Sequence, residues 1–240
     1  MGTADVVSVI SSPPLRGVLR DLASRFESQT GHKLAIRTAA VADLKCQIDA
    51  GTAFDVAILT PPLIDGLIDD GRIAAGTRAE IARAGLGVAV RTGARKPDVG
   101  SANAVRCALL NANTVMYASG SAVMAHIERM FERLGIAGDM KSRARRVPAG
   151  GYIGEAVAAG AAELGLTMIP VILDTDGVDL AGPLPTPLQF YVEFAGGVGV
   201  GSKQPEGASE LLRYLAAAGA ASAIEAKGLE RPFGTPNRAV

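Results

Sequence analysis

Short apolar runs alternate with amphipathic stretches along the first third of the chain. Val6-Val7-Ser8-Val9-Ile10 reads as a strand, and Ser11-Ser12-Pro13-Pro14 interrupts it. Leu15, Val18, Leu19, Leu22 and Phe26 then recur at helical spacing, and Gly31 closes that helix. Leu34 to Arg37 predicts a second strand. Leu44 and Ile48 mark a second helix that Gly51 ends. Val56 to Leu59 predicts a third strand, and Thr60-Pro61-Pro62 opens a helix carrying Leu63, Leu67 and Ile68. Strands and helices in such strict alternation predict an α/β fold, with a mixed, mostly parallel sheet flanked by helices.

Beyond Gly71 the pattern changes. Leu86 to Val90 runs extended into a polar stretch, Arg91 to Ser101, which predicts a crossing into a second lobe. Val115-Met116-Tyr117 is a strand there, followed by the turn Ser119-Gly120-Ser121. Val123, Ile127, Met130, Phe131 and Leu134 form the next helical face. Pro148-Ala149-Gly150-Gly151 precedes a helix with Ile153, Ala156 and Val157, and Leu164 to Ile169 is a further strand. Pro183, Pro185 and Pro187 stiffen a connection to Gln189–Val200, which reads as the return crossing. Helices over Glu206–Leu215 and about Ala220–Ala226 complete the chain, with Gly228 as the stop. The expected division is residues 1–88 with 195–240 in one lobe and 89–194 in the other, joined at a hinge.

Charge narrows the function. Lys+Arg and Asp+Glu both number 24 and aromatic residues are 4% with no Trp, so neither a nucleic-acid surface nor a base-stacking platform is predicted. Two cysteines, Cys46 and Cys107, read as free buried thiols, and with only His32 and His126 beside them no metal site is expected. No cofactor motif is present, and neither GxxxxGK[ST], GxSxG nor HExxH occurs. No run approaches the ~20 apolar residues of a membrane span. The opening residues lack the basic and apolar regions of a signal peptide.

What remains is the set of turns after the strands. Ser11-Ser12, Thr38-Ala39-Ala40, Ser119-Gly120-Ser121 and Gly150-Gly151-Tyr152 all place small or hydroxyl-bearing residues at a helix start. In open parallel sheets ligands bind at the carboxyl ends of strands, and helix N-termini there offer unpaired amides and partial positive charge. These eleven residues are therefore the candidate anion site. Each turn also has a plain structural reading as an N-cap or a βα turn, with Ser12-Pro13 and Thr60-Pro61 as ordinary cap-plus-proline starts. Gly197, Gly199 and Gly201 read as close strand packing. Arg37, Arg91 and Arg146 are candidates for a carboxylate clamp, His126 for a base in or out of the cleft, and His32 for a solvated turn residue.

Several stretches carry a resemblance: Val9-Ile10-Ser11-Ser12, Gln47-Ile48-Asp49-Ala50-Gly51, Phe54-Asp55-Val56-Ala57-Ile58, Leu164-Gly165-Leu166 and Ile224-Glu225-Ala226-Lys227-Gly228-Leu229. In order and spacing they resemble the periplasmic molybdate-binding proteins and the wider type 2 solute-binding proteins. The resemblance implies two α/β lobes with a ligand cleft between them, a small oxyanion or carboxylate as ligand, an ABC transporter permease as partner, a monomer, and a periplasmic location. Without a signal peptide in the chain, a cytoplasmic location, as for an anion sensor, stays equally open. The chain departs from the family where a second serine falls on Ala40 and Val41, and where an expected tyrosine falls on Met168. Both departures point away from molybdate itself. Aconitate isomerase is similar to these binding proteins, so an isomerase acting on a di- or tricarboxylate is the alternative, with Arg37, Arg91, Arg146, Tyr152 and His126 as its candidates.

Overall fold

The structure, a computed structural model, describes residues 6–118, 122–147 and 153–231. The chain folds into two compact units, Met1–Arg83 with Glu193–Val240, and Ala84–Val192.

In the first unit, β1 (Val6–Ser11) pairs in parallel with β2 (Lys33–Thr38) and β3 (Val56–Leu59), and β9 (Tyr191–Val198) adds antiparallel to β3. A 3-10 turn, Pro13–Leu15, leads into α1 (Arg16–Thr30), whose buried face is Val18, Leu19, Leu22 and Phe26. Helices α2 (Val41–Asp49) and α3 (Pro61–Asp69) cover one face of the sheet, with Leu44, Ile48, Ile64 and Leu67 packed on Ile10, Ala57 and Leu59. Near the end of the chain, α9 (Pro205–Ala216) packs on the other face. A Cβ built on Gly196 would stand 2.5 Å from Leu212, and one on Gly197 2.5 Å from Ile73. After α10 (Ala221–Ala226), Gly228 takes a left-handed φ of 73° and a short β10 (Leu229–Glu230) pairs with β4 (Ala79–Arg91).

Asp55 ties this unit together. Its carboxylate accepts from Ser8 N (2.7 Å), Ser8 Oγ (2.8 Å), Ser202 Oγ (2.7 Å), Lys203 N (2.8 Å) and Gln204 N (3.2 Å). Burial pushes this carboxyl's pKa up, but the donors, Ser202 Oγ and Ser8 N foremost, outweigh it and the net shift is downward.

The second unit orders its strands β4, β7 (Leu164–Met168), β5 (Val115–Ala118), β6 (Ala144–Val147), with β8 (Val178–Pro183) also on β4. Strands β5, β6 and β7 run parallel, while β7 and β8 run antiparallel to β4. Helices α4 (Ala102–Asn111), α5 (Ala122–Arg133) and α6 (Ala137–Arg143) share one apolar core with Leu86, Val88, Val115 and Leu166. Helices α7 (Ile153–Ala158) and α8 (Ile169–Leu173) pack on the opposite face around Ala89 and Val178.

Where β4 enters this unit it is held by a side chain. Gln189 Oε1 accepts from Leu86 N (2.7 Å) and Phe190 N (2.9 Å), while Nε2 donates to Leu86 O (3.0 Å) and Leu184 O (3.0 Å). The amide thus stands in for a strand neighbour, and a Cβ on Gly85 would press on it at 3.2 Å.

Some expectations are corrected here. Both cysteines are free but exposed, because Cys46 and Cys107 fall on the outer faces of amphipathic α2 and α4. Gly199 packs closely, since a Cβ built there would fall 2.5 Å from Phe54 O, whereas Gly201 has open space around it. The polar stretch after Arg91 ends in a full helix, α4, with Ser101 Oγ accepting from Ala104 N at 3.1 Å as its cap.

Candidate functional site

Five of the eleven candidate residues are described, and the register brings them together. Ser11 pairs with Thr38, Ala39 N donates to Ser11 O (3.3 Å), and Ala40 begins α2. Ser11 is fully buried, and its hydroxyl donates to Ser12 O at 3.3 Å. Ser119, Gly120, Ser121, Gly150, Gly151 and Tyr152 lie outside the described residues. The segments that flank them are described: β5 ends at Ala118 and α5 starts at Ala122, and β6 ends at Val147 and α7 starts at Ile153.

Ser12 is 2% exposed, yet its Oγ has no hydrogen-bond partner. Among the described residues the only other buried side-chain atom in this state is Gln47 Oε1. An unsatisfied buried hydroxyl costs about 1–3 kcal/mol, so such groups are rare outside sites that receive a partner.

The expectation that Ser12 caps its helix is not met. It makes no side-chain capping bond, and neither does Thr60. The reason is the double proline after each. Pro13-Pro14 and Pro61-Pro62 carry no N–H, and the next amides, of Leu15 and Leu63, turn back to the carbonyls of Ser12 (3.2 Å) and Thr60 (3.0 Å). A hydroxyl there finds no amide to cap. For the same reason the first-turn amides are not free to meet an anion at the helix start after β1, contrary to the expectation for the Ser11-Ser12 turn, and the same holds after β3.

The start of α2 is different. Its N-cap is Ala40, which has no capping side chain, and its first helical bond runs from Leu44 N to Ala40 O (3.0 Å). The amides of Val41, Ala42 and Asp43 are left without intrahelical acceptors. At these turns unit one therefore offers one helix N-terminus with free amides, that of α2, together with the hydroxyls of Ser12 and Thr60, the latter half-buried and free of hydrogen bonds among the described residues. The sequence marks Thr60 only as a cap; the pairing of β3 with β1 sets it beside the Ser12 turn, and its repeat of the Ser12-Pro-Pro pattern is the one signal that could have found it.

The remaining candidates fall elsewhere. Arg37 is exposed on β2, one residue before Thr38 and on the other face of the strand. Arg146 is committed: Nε donates to Tyr117 Oη (3.1 Å), an Nη is 2.6 Å from Glu128 Oε1, and Tyr117 Oη donates to the same carboxylate (3.2 Å). Tyr117, ahead of Glu128, raises the guanidinium pKa. His126 is half-buried and engaged within the second unit; Nε2 contacts Leu188 O at 2.8 Å and the ring stacks on Phe190 at 4.8 Å. His32 is partly packed, stacked on Phe26 and 3.8 Å from Glu210, rather than solvated. Met168 is half-buried against the apolar core. Arg91 lines a cavity of ≈ 900 Å³ within the second unit.

Residues 7–230 match the family described as bacterial extracellular solute-binding protein. The chain belongs to this solute-binding family. An aconitate isomerase of Pseudomonas sp. is 33% identical over 230 residues, covering 93% of this chain and 87% of that protein. The Azotobacter vinelandii periplasmic molybdate-binding protein superposes with a TM-score of 0.78 at 19% identity, covering 94% of this chain and 99% of its own. The sulfate-binding protein SubI of Mycobacterium tuberculosis H37Rv gives a TM-score of 0.72 at 14% identity, over 95% and 88%. These structures share the type 2 periplasmic-binding-protein fold with this solute-binding chain.

Proposed function

We propose that this solute-binding protein captures a small anion at the carboxyl ends of β1, β2 and β3 and passes it to an ABC transporter outside the cytoplasm. The observation that carries the reading is the buried, unpartnered hydroxyl of Ser12 beside the uncapped N-terminus of α2. A ligand oxygen would satisfy the hydroxyl, and the α2 amides would meet its negative charge without a lysine or arginine. The turns at 119–121 and 150–152 stay candidates for further ligand contacts, and the protein would work as a monomer.

The ligand is an oxyanion or an organic carboxylate. The loss of backbone donors at both double prolines, and of a hydroxyl at Ala40, favours a carboxylate group, whose two oxygens ask fewer donors of this place than the four of a tetrahedral dianion. A thermal-shift screen of molybdate, tungstate, sulfate, phosphate and di- and tricarboxylates tests this. A ligand at 100 times its Kd stabilises by about 2.7 kcal/mol, well within reach of such a scan. Stabilisation by a carboxylate and none by molybdate is the expected outcome.

A second reading, an isomerase of a tricarboxylate, is favoured by the 33% identical aconitate isomerase. It needs a base to move a proton and arginines to clamp carboxylates, and His126 and Arg146, both engaged with protein partners, are poorly placed for these roles. Incubation of the purified protein with trans-aconitate, followed by chromatography for the cis isomer, separates the readings.

A further inference from the structure

We propose that the second unit carries a separate binding site for an amphipathic organic anion, a single carboxylate, sulfonate or phosphate group on an apolar body. The site is the ≈ 900 Å³ cavity where β4 ends and β7 begins. Ala89 of β4 pairs with Gly165 of β7, and Val115 of β5 with Leu164, so the cavity sits at the amino-terminal ends of β5 and β7. The turns proposed to hold the transported anion follow the carboxyl ends of β5 and β6. The two places are opposite ends of the same sheet.

The volume falls within the range of small-molecule sites, about 300–1,000 Å³. The wall combines two chemistries. Val90, Pro97, Ala108, Ala112 and Leu164 supply apolar surface, and Arg91, Arg95 and Lys96 supply cations. Two carboxylates share the wall, and both are turned to amide donors rather than to the guanidinium groups. Glu163 accepts from Asn113 N (3.0 Å) and Nδ2 (2.6 Å), and Asp98 accepts from Gly100 N (2.9 Å). Lys96 reaches only a loose 3.8 Å pairing with Asp179, and among the described residues neither the Arg91 nor the Arg95 guanidinium has an ion pair or hydrogen bond.

Arg91 lies against Gly160, where a Cβ would come within 3.7 Å of an Nη, so the guanidinium is positioned over the cavity wall. Ser101, Asn103 and Ala104 place the start of the ten-residue α4 in the same wall, adding the positive end of its dipole. Two forks without carboxylates, a helix start and an apolar floor together fit an anionic head and an apolar body.

The test uses 1-anilinonaphthalene-8-sulfonate, an apolar-bodied monoanion, in fluorescence titrations of the full chain carrying Cys46→Ser. Cys107, in the cavity wall, is then the sole thiol and reports occupancy through its alkylation rate. The expected result is saturable binding, weakened at least about tenfold by Arg91→Gln with Arg95→Gln, with Cys107 protected while the probe is bound. Both arginines are exposed, so the double variant keeps its melting temperature. Unchanged probe affinity in the double variant, or no protection of Cys107, overturns the site. Equal protection by inorganic sulfate at the same concentration overturns the amphipathic ligand class.

Discussion

Ser11 and Thr38 face each other at the ends of two neighbouring parallel strands, and the amide of Ala39 donates to Ser11 O across 3.3 Å. That bond carries the ladder one residue past β2 and fixes where the chain turns into α2. It sets the uncapped α2 start beside the Ser12 turn. The hydroxyl most buried here, that of Ser11, is satisfied by Ser12 O, whereas Ser12 Oγ is not.

Ser12→Ala therefore separates binding from stability. Removing an unsatisfied buried hydroxyl leaves the ligand-free protein as stable as before or up to about 1 kcal/mol more stable. Ligand affinity falls about 5- to 30-fold, the worth of one hydrogen bond of about 1–2 kcal/mol. Melting curves with and without ligand read both effects.

Asp55→Asn is expected to destabilise by about 3 kcal/mol or more, because a neutral amide with one acceptor oxygen cannot serve five donors. The folded-state pKa lies below the ordinary 3.8. The carboxylate's contribution is thus complete above pH 3.8 and is lost as pH falls through the lowered folded value. Urea midpoints of the natural protein should drop on acidification below pH 4, and those of Asp55→Asn should drop less.

Gly199→Ala and Gly201→Ala should part company. The first puts a Cβ 2.5 Å from the backbone oxygen of Phe54, which cannot rotate away, and should cost about 1–3 kcal/mol. The second meets nothing within 4 Å and should stay within about 0.5 kcal/mol of neutral. Chemical denaturation of the pair is sufficient.

Gln189→Leu keeps the shape of the side chain but strips Leu86 N and Phe190 N of their acceptor. A loss of about 2–3 kcal/mol is expected, with faster amide exchange at Leu86 than at Val88.

The α/β character, the first three strands with their helices, and the helix faces Val18–Phe26 and Val123–Phe131 were legible because they follow clean apolar periodicity. The elements that escaped are short or amphipathic without long apolar runs. Helix α4 shows only Val105, Ala108 and Leu109 behind its Ser101 cap, and β6 reads Ala-Arg-Arg-Val, an edge strand whose arginines look like a solvated run. The roles of Asp55, Gln189 and Arg146 depend on partners distant in the chain, 149 residues for Gln204 on Asp55, 103 for Leu86 on Gln189 and 29 for Tyr117 on Arg146, which no local pattern encodes. At the candidate site, residue identity pointed to the turns after β1 and β2, but the double prolines after β1 and β3 leave hydroxyls rather than amides as the donors there, while the α2 start keeps its amides. Thr60 joined the set only through β3's pairing with β1.

The most direct test is calorimetric titration of the natural protein and of Ser12→Ala with the ligand that stabilises the protein most among the oxyanions and carboxylates. The account predicts one anion bound per chain and a loss of affinity of about 5- to 30-fold in the variant. Equal affinity in both proteins, or no heat with any anion of the series, would contradict it.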